Sequence, residues 1–454
     1  MADIKRSNSI DMCSGPMGPQ IFKFTIPLIL SSILQLLFNT ADIIVVSNFC
    51  GATELAAVGS TGSLINLIIG LFVGMSTATN IIAARLLGER NREVLQKTVH
   101  TSILLSVVSG VFLIFIGWFF AKKALLLMGS PDDVIDLSTL YIKIYFIGMP
   151  ASMVYNFGSS LLRAKGDTKR PLYIITLAGI INVILNLFLV IVCHRSVDGV
   201  AIATVVSQYV SALLVLICLL KEEEWLKLDL RKLKIHKKPL LEIIRIGVPA
   251  GIQGIVFSLS NVTIQSSINS FGKITMAGYA AASNIQSYVY MIGNAFCVSN
   301  MTFTSQNFGA NNPKRIEKSL KLHQIFQSSV VLTLSVAVYA FAIPLLKIFS
   351  TDSSVIQDGI IVLKYIELPL FLCGVMEIFM GSNRGLGYSV MPMIVSMLGA
   401  CGTRILWVST VFTMFHTKDI LLAIYPVSWI ITALAHAVCF LIVYPQKKKQ
   451  MIAE

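Results

Sequence analysis

The sequence predicts an all-α polytopic membrane protein of twelve transmembrane helices, arranged as two six-helix lobes related by an internal repeat. Three observations predict it. The 454 residues are 55% hydrophobic and only 13% charged, where soluble domains carry about 25% charged residues. Charge-free stretches such as 174–193 and 201–220 reach the ~20 residues a helix needs to cross a bilayer. Landmarks of the first half also recur in the second half at an offset of about 221 residues. A membrane β-barrel is excluded, because its strands are ~10 residues of alternating polarity.

The apolar stretches place helices over roughly 21–47, 55–84, 98–121, 135–162, 171–194, 199–220, 240–269, 275–306, 320–348, 357–383, 391–415 and 419–444. The net charge of +13 invites a nucleic-acid reading, but its placement is that of membrane topology. Of the 36 Lys and Arg, all but Lys122, Lys123, Lys143, Arg195, Lys273, Lys347, Lys364, Arg404 and Lys418 lie in the tails and the even-numbered connections or, as Lys23, Arg245 and Lys321 do, in the first two turns of the helix that follows one. Basic residues mark the cytoplasmic side, so both termini are expected there, in a cell inner (plasma) membrane protein with no cleavable signal. The organisation reads as a cytoplasmic N-terminal tail (1–20), an N-lobe (21–220), a cytoplasmic linker (221–239), a C-lobe (240–444) and a cytoplasmic C-terminal tail (445–454). The charged linker, KEEEWLKLDLRKLKIHKKP, is amphipathic in pattern and is expected to act mainly as a solvated tether.

The repeat is read by laying the chain on itself. ARLLGERN (84–91) falls on SQNFGANN (305–312), with Gly88 on Gly309. LLRAKGDTKRP (161–171) falls on SNRGLGYSVMP (382–392), with Arg163 on Arg384 and Gly166 on Gly387, and IPL (26–28) falls on VPA (248–250). Six helices per repeat keep both halves in the same orientation, the arrangement of transporters that rock one lobe against the other.

Candidate chemistry starts at Asp42. A carboxylate inside a spanning helix costs about 2.5–3.5 kcal/mol on insertion scales and normally faces a cavity or a partner. Ser31, Gln35, Asn39 and Asp42 are spaced by four, four and three, which puts them on one helical face. The alternative is an aspartate near the helix end at the interface. Pro27 in the same helix removes one backbone hydrogen bond and permits a bend. The fifth helix offers Asn182 and Asn186 at i and i+4, and the sixth offers Thr204, Ser207 and Gln208. A lone acid among amide and hydroxyl oxygens suits a hard monovalent cation, and an apolar surround penalises the charged carboxylate enough for a proton to compete. The asparagines can also be interhelical glue.

The second half lacks the matching acid. Its first helix carries Gln253, Asn261, Gln265 and Asn269, its tenth Glu367 and Glu377, its eleventh Arg404. Glu367 and Arg404 match in depth, ~24 and ~20 Å from the cytoplasmic ends at 1.5 Å per residue, and are expected to form a structural ion pair. Glu377 is then a second candidate for proton handling, or a side chain snorkelling to the interface. Gln286 and Tyr290 lie on a helix expected to line the cleft. No phosphate loop, metal spacing or acidic Mg²⁺ cluster is present in the sequence, which speaks against ATP hydrolysis and against a prenyl-transferring enzyme.

Taken together, the twelve helices, the two repeats, Pro27 and Asp42, RAKGDTKRP after the fourth helix and SQNFGANN after the eighth resemble the multidrug and toxic compound extrusion (MATE) transporters. The resemblance implies alternating access and export of cationic amphipathic compounds driven by H⁺ or Na⁺ entry. Asp42 resembles the family's N-lobe ion-coupling aspartate. Asn39, Asn182, Asn186 and Thr204 are its expected neighbours, and Asp42, Asn182 and Thr204 are the expected ligands if the ion is Na⁺. Asn186 stands where some prokaryotic members have a second aspartate. Gln35, Gln253, Asn261, Gln286, Tyr290 and Glu377 are expected along the substrate path, and Pro27 is the expected hinge. No cofactor is implied beyond the coupling ion. The expected partners are small-molecule cationic substrates and the lipid bilayer, with no nucleic acid, for a chain working as a monomer. A flippase for a lipid-linked precursor is the alternative.

Overall fold

The computed structural model describes residues 9–128, 131–222 and 225–453, and among them the chain is helical without strands. Twelve helical rods follow one another. They are α1 Met17–Phe49, α2 Ala52–Gly88, α3 Arg92–Leu127, α4 in two segments (Asp132–Ile147 and Met149–Ala164), α5 Lys169–Val192 and α6 Val197–Leu220. Then come α7 Lys237–Asn269, α8 Lys273–Gly309, α9 in two segments (Pro313–Ala340 and Ala342–Lys347), α10 Ser353–Gly385, α11 Val390–Phe415 and α12 Lys418–Ala453. Ten rods are each long and apolar enough to span a bilayer, and α4 qualifies when its segments, bent by 48°, are read as one span. At 37 residues α8 has the length, but its many Ser, Thr, Asn and Gln lower its hydropathy. Pro150 at the bend of α4 breaks the backbone ladder. Gly110 of α3 meets it closely: a Cβ there would lie 2.2 Å from Pro150 Cα.

The chain divides into two compact units at other points than the lobe boundaries 21–220 and 240–444. Among the described residues, unit 1 takes those of 9–11 and 26–251, and unit 2 those of 12–25 and 252–453. Each boundary inside a helix lies beside a proline, Pro27 in α1 and Pro249 in α7. In unit 1 the first half of α7 crosses α2 backbone to backbone. A Cβ on Gly74 would lie 2.5 Å from Gly251 N, and one on Gly247 2.5 Å from Met75 Cα. Small residues at such crossings permit the approach. In unit 2 the first turns of α1 are buried through Met17, Ile21 and Phe24, and Phe24 meets Phe303 edge-on at 5.8 Å.

The tails and linker are more ordered than their charge suggests. Before α1, Met12 is fully buried, and Arg315 donates to the carbonyls of Met12 (2.9 Å), Ser14 (3.1 Å) and Gly15 (3.0 Å). The linker is no free tether. Leu226 and Leu228 are buried, Leu228 N donates to Leu219 O at 3.0 Å, and Asp229 N donates to His100 Nε2 at 3.1 Å. Its alternating leucines supply the apolar face that charge alone conceals. The C-terminal residues 445–453 continue α12 as helix, with Met451 buried and Lys448 paired to Glu317 at 2.8 Å. The loop after α4 is closed by charge: Glu222 takes Lys165 at 2.5 Å and also pairs with Arg170, which reaches Asp167 too. Burial works against the Glu222 charge, yet the two basic partners outweigh it and hold the carboxyl below its ordinary value.

Candidate functional site

In unit 1, three helices bring four of the predicted residues together. The i, i+4 spacing on α5 presents Asn182 and Asn186 on one buried face, 3% and 0% exposed. Asn186 Nδ2 donates to Asp42 Oδ1 on α1 and lies 3.5 Å from Asn182 Oδ1. Asn182 Nδ2 in turn donates to Thr204 Oγ1 on α6 at 3.4 Å, and that hydroxyl donates to Val200 O at 3.0 Å. The result is a polar chain that ends at the half-buried Asp42 carboxylate on α1 and at Val200 O on α6. Asn186 Oδ1 is buried without a hydrogen-bond partner, an uncommon condition that calls for an explanation. The helices can approach because Gly179 of α5 carries no side chain. A Cβ there would lie 1.8 Å from the Phe38 ring of α1.

The rest of the predicted α1 stripe does not join. Gln35 and Asn39 occupy exposed positions. Ser31 spends its hydroxyl on Pro27 O at 2.7 Å, a back-bond of the kind that bends helices. The four residues share a face as predicted, but from Ser31 to Asp42 that face runs ~16 Å along the axis, too far for one cluster.

In unit 2, Glu377 is buried, not snorkelling. Tyr290 Oη donates to its Oε1 at 2.8 Å, Asn294 hydrogen-bonds to it, and Cys297 Sγ reaches its backbone oxygen at 3.1 Å. Glu377, Tyr290, Gln327 and Gly374 help to line a cavity with room for about one water molecule, beside a Gln327 Nε2 that has no partner. Asn294 and Gln327 are absent from the sequence reading. Asn294 had a signal, since 286, 290 and 294 recur at spacings of four; Gln327 had none. Gln286 itself is half-buried. Gln253 is not on an open path. It is buried and holds a junction, donating to Ser396 Oγ at 3.1 Å and accepting from Arg384 Nη2 at 2.6 Å.

Glu367 and Arg404 do not pair. Among the described residues, no carboxylate lies within 4 Å of Arg404 and no basic group within 4 Å of Glu367. Glu367 Oε1 accepts from Ser335 Oγ at 3.1 Å. Arg404 donates to Ser428 and Asn261. Depth along a helix follows from residue count, but direction around the axis does not. Here π turns at Leu363–Glu367 and Met397–Gly402 interrupt the regular helical register at Glu367 and just before Arg404.

The comparisons with known proteins bear on this arrangement. The MatE family model matches twice, over residues 27–188 and 249–408, one match for each repeat.

The chain belongs to the MatE family.

Two curated relatives and one solved structure illustrate the likeness. The probable multidrug resistance protein YoeA of Bacillus subtilis (strain 168) is 29% identical over 441 residues, 94% of each chain. The FAD transporter of Shewanella oneidensis is 27% identical over 357 residues, 76% of this chain and 77% of that one. A structure described as the outward-facing conformation of a multidrug resistance MATE family transporter of the MOP superfamily superposes with a TM-score of 0.90. It is 20% identical and covers 98% of this chain and 100% of that one, a likeness that speaks for the fold. As a MatE protein the chain is a multi-pass membrane transporter for small molecules and not an enzyme.

Proposed function

We propose that this MatE protein is a secondary antiporter that exports cationic amphipathic compounds in exchange for H⁺ or Na⁺ by alternating access, with Asp42 as the coupling group. One observation carries the reading: an intramembrane carboxylate accepts from Asn186, whose own Oδ1 is buried and unpartnered. A buried ionisable group in a spanning helix is an expensive feature kept for ion or substrate handling. Binding a cation at Asp42 cancels that cost. For H⁺ the carboxylate suffices. For Na⁺, Asp42 is joined by the oxygens of Asn182, Asn186 and Thr204, hard donors that fit a hard cation; the unpartnered Asn186 Oδ1 supports this fit. Neutralised, Asp42 no longer attracts a cationic compound, and that compound leaves. Loss of the ion on the other side restores the charge and the affinity. Pro27, beside the change of unit within α1, is the hinge in this scheme. The protein acts as a monomer in the plasma membrane with both termini in the cytoplasm.

The test uses purified protein in liposomes loaded with a fluorescent cationic dye, with a proton gradient and a sodium gradient imposed separately. Dye movement under one gradient, lost in Asp42→Asn, is the expected result and names the ion. Full gradient-driven transport by Asp42→Asn would sink the coupling role. The relative named FAD transporter makes FAD the second cargo for the same assay. Movement of neither cargo under either gradient shifts the reading to a flippase for a lipid-linked precursor.

A further inference from the structure

Arg404 lies near the middle of α11, ~21 Å along it from Val390, between two π turns. It is 3% exposed and has no carboxylate partner among the described residues. A buried guanidinium stays charged, since its affinity for the proton is too high to lose. It therefore needs compensation from something other than deprotonation.

Its surroundings hold it in one pose. Nε donates to Ser428 Oγ at 3.3 Å, Nη1 donates to Asn261 Oδ1 at 3.1 Å, and the guanidinium lies 4.6 Å from the centre of the Tyr425 ring. Nη2 takes no acceptor from the described residues and is not sealed from solvent. The neighbouring free groups are also donors. Asn261 uses its oxygen on Arg404, leaving its amide N–H groups, and its side chain stands at an exposed position. Tyr425 and Tyr279 share one hydroxyl–hydroxyl bond at 2.9 Å, so one of the two hydroxyl protons remains uncommitted. A guanidinium with a free Nη2, an adjoining amide and a neighbouring tyrosine pair is a set of donors with no acid among its partners. That is the chemistry of an oxyanion site.

We infer that Arg404, Asn261 and the Tyr279–Tyr425 pair form a binding site for the carboxylate or phosphate group of a small ligand within unit 2. Such a group satisfies the guanidinium in place of the missing acid. The inference goes beyond the antiport reading, and its test needs no ion gradient.

The experiment measures equilibrium binding of carboxyfluorescein to the full-length protein by fluorescence anisotropy, in nanodiscs of phosphatidylcholine and, separately, of phosphatidylglycerol. Saturable binding in phosphatidylcholine is expected, weakened about tenfold or more by Arg404→Gln and by Asn261→Asp, as loss of a charge-assisted contact requires. The second variant keeps the arginine but sets a carboxylate beside it. Its exposed position spares the packing, so it decides the matter if the first variant fails to fold. Equal binding in both lipids assigns the site to free oxyanions. Weaker binding in phosphatidylglycerol shows that lipid phosphate competes for the same donors. Absence of binding in phosphatidylcholine, or equal binding by wild type and folded Asn261→Asp, overturns the inference.

Discussion

Asn186 of α5 donates its side-chain amide to the Asp42 carboxylate of α1, across 144 positions of sequence. The carboxylate is thus held by a neutral donor, as the proposed coupling role requires. The pair has two isosteric ends, an acid and an amide, which makes it testable by exchange. Asp42→Asn alone should reduce gradient-driven dye export to background. The double variant Asp42→Asn with Asn186→Asp returns one acid to the same cluster from the opposite helix. It should recover at least about a tenth of the wild-type rate, a barrier difference of ~1.4 kcal/mol. A double variant as inactive as the single one, with both proteins correctly folded, would show that the acid must stand on α1.

The seat of Phe38 on Gly179 sets the distance between α1 and α5. Gly179→Ala overfills it and should cost about 1–3 kcal/mol of stability, with a parallel fall in transport. Phe38→Ala in the same chain should recover most of both losses, since the two changes act through one contact. The double-mutant cycle, read by thermal unfolding in detergent, checks this. Additive losses would mean that the Gly179 effect does not pass through Phe38.

Arg315 ties down the segment before α1 through the carbonyls of Met12, Ser14 and Gly15. Each hydrogen bond to a charged group contributes roughly 1.5–3 kcal/mol. Arg315→Ala should therefore leave the helices intact while residues 9–16 exchange amide hydrogens at least about tenfold faster. Unchanged exchange in this segment would place its anchorage in the hydrogen bond from Asn307 Nδ2 to Met12 O (3.1 Å) and in the burial of Met12 instead.

Glu222 predicts a pH signature. Its carboxyl is depressed in the folded protein despite burial, because Lys165 and Arg170 hold its charge. A depressed carboxyl stabilises the fold above its unfolded value, here near 4.5, and the contribution is lost as pH falls through the folded value. Glu222→Gln should thus lower stability at pH 7 by about 1–3 kcal/mol. The gap to wild type should close below pH 4.5. A gap that stays constant through that range would assign the effect to packing.

What the sequence determined by itself is what depends on counting along the chain. Hydropathy and recurring landmarks need only the order of residues along the chain, so most of the rods and the repeat were legible. The periods of helices need only spacing, so Asn182 and Asn186 were placed on one face, with Asp42 and Thr204 on neighbouring helices of the same half. The tertiary structure decided what depends on rotation about helix axes and on where rods meet. Gln35 and Asn39 share the face of Asp42 but miss its cluster. Glu367 and Arg404 match in depth but point apart, because π turns alter the angular register without changing the residue count. The same holds for the compact units, which exchange the first turns of α1 and α7 beside Pro27 and Pro249. The close backbone approach of Gly74 to Gly247 and Gly251 lies within unit 1, and contact is a property of three dimensions that no single stretch encodes.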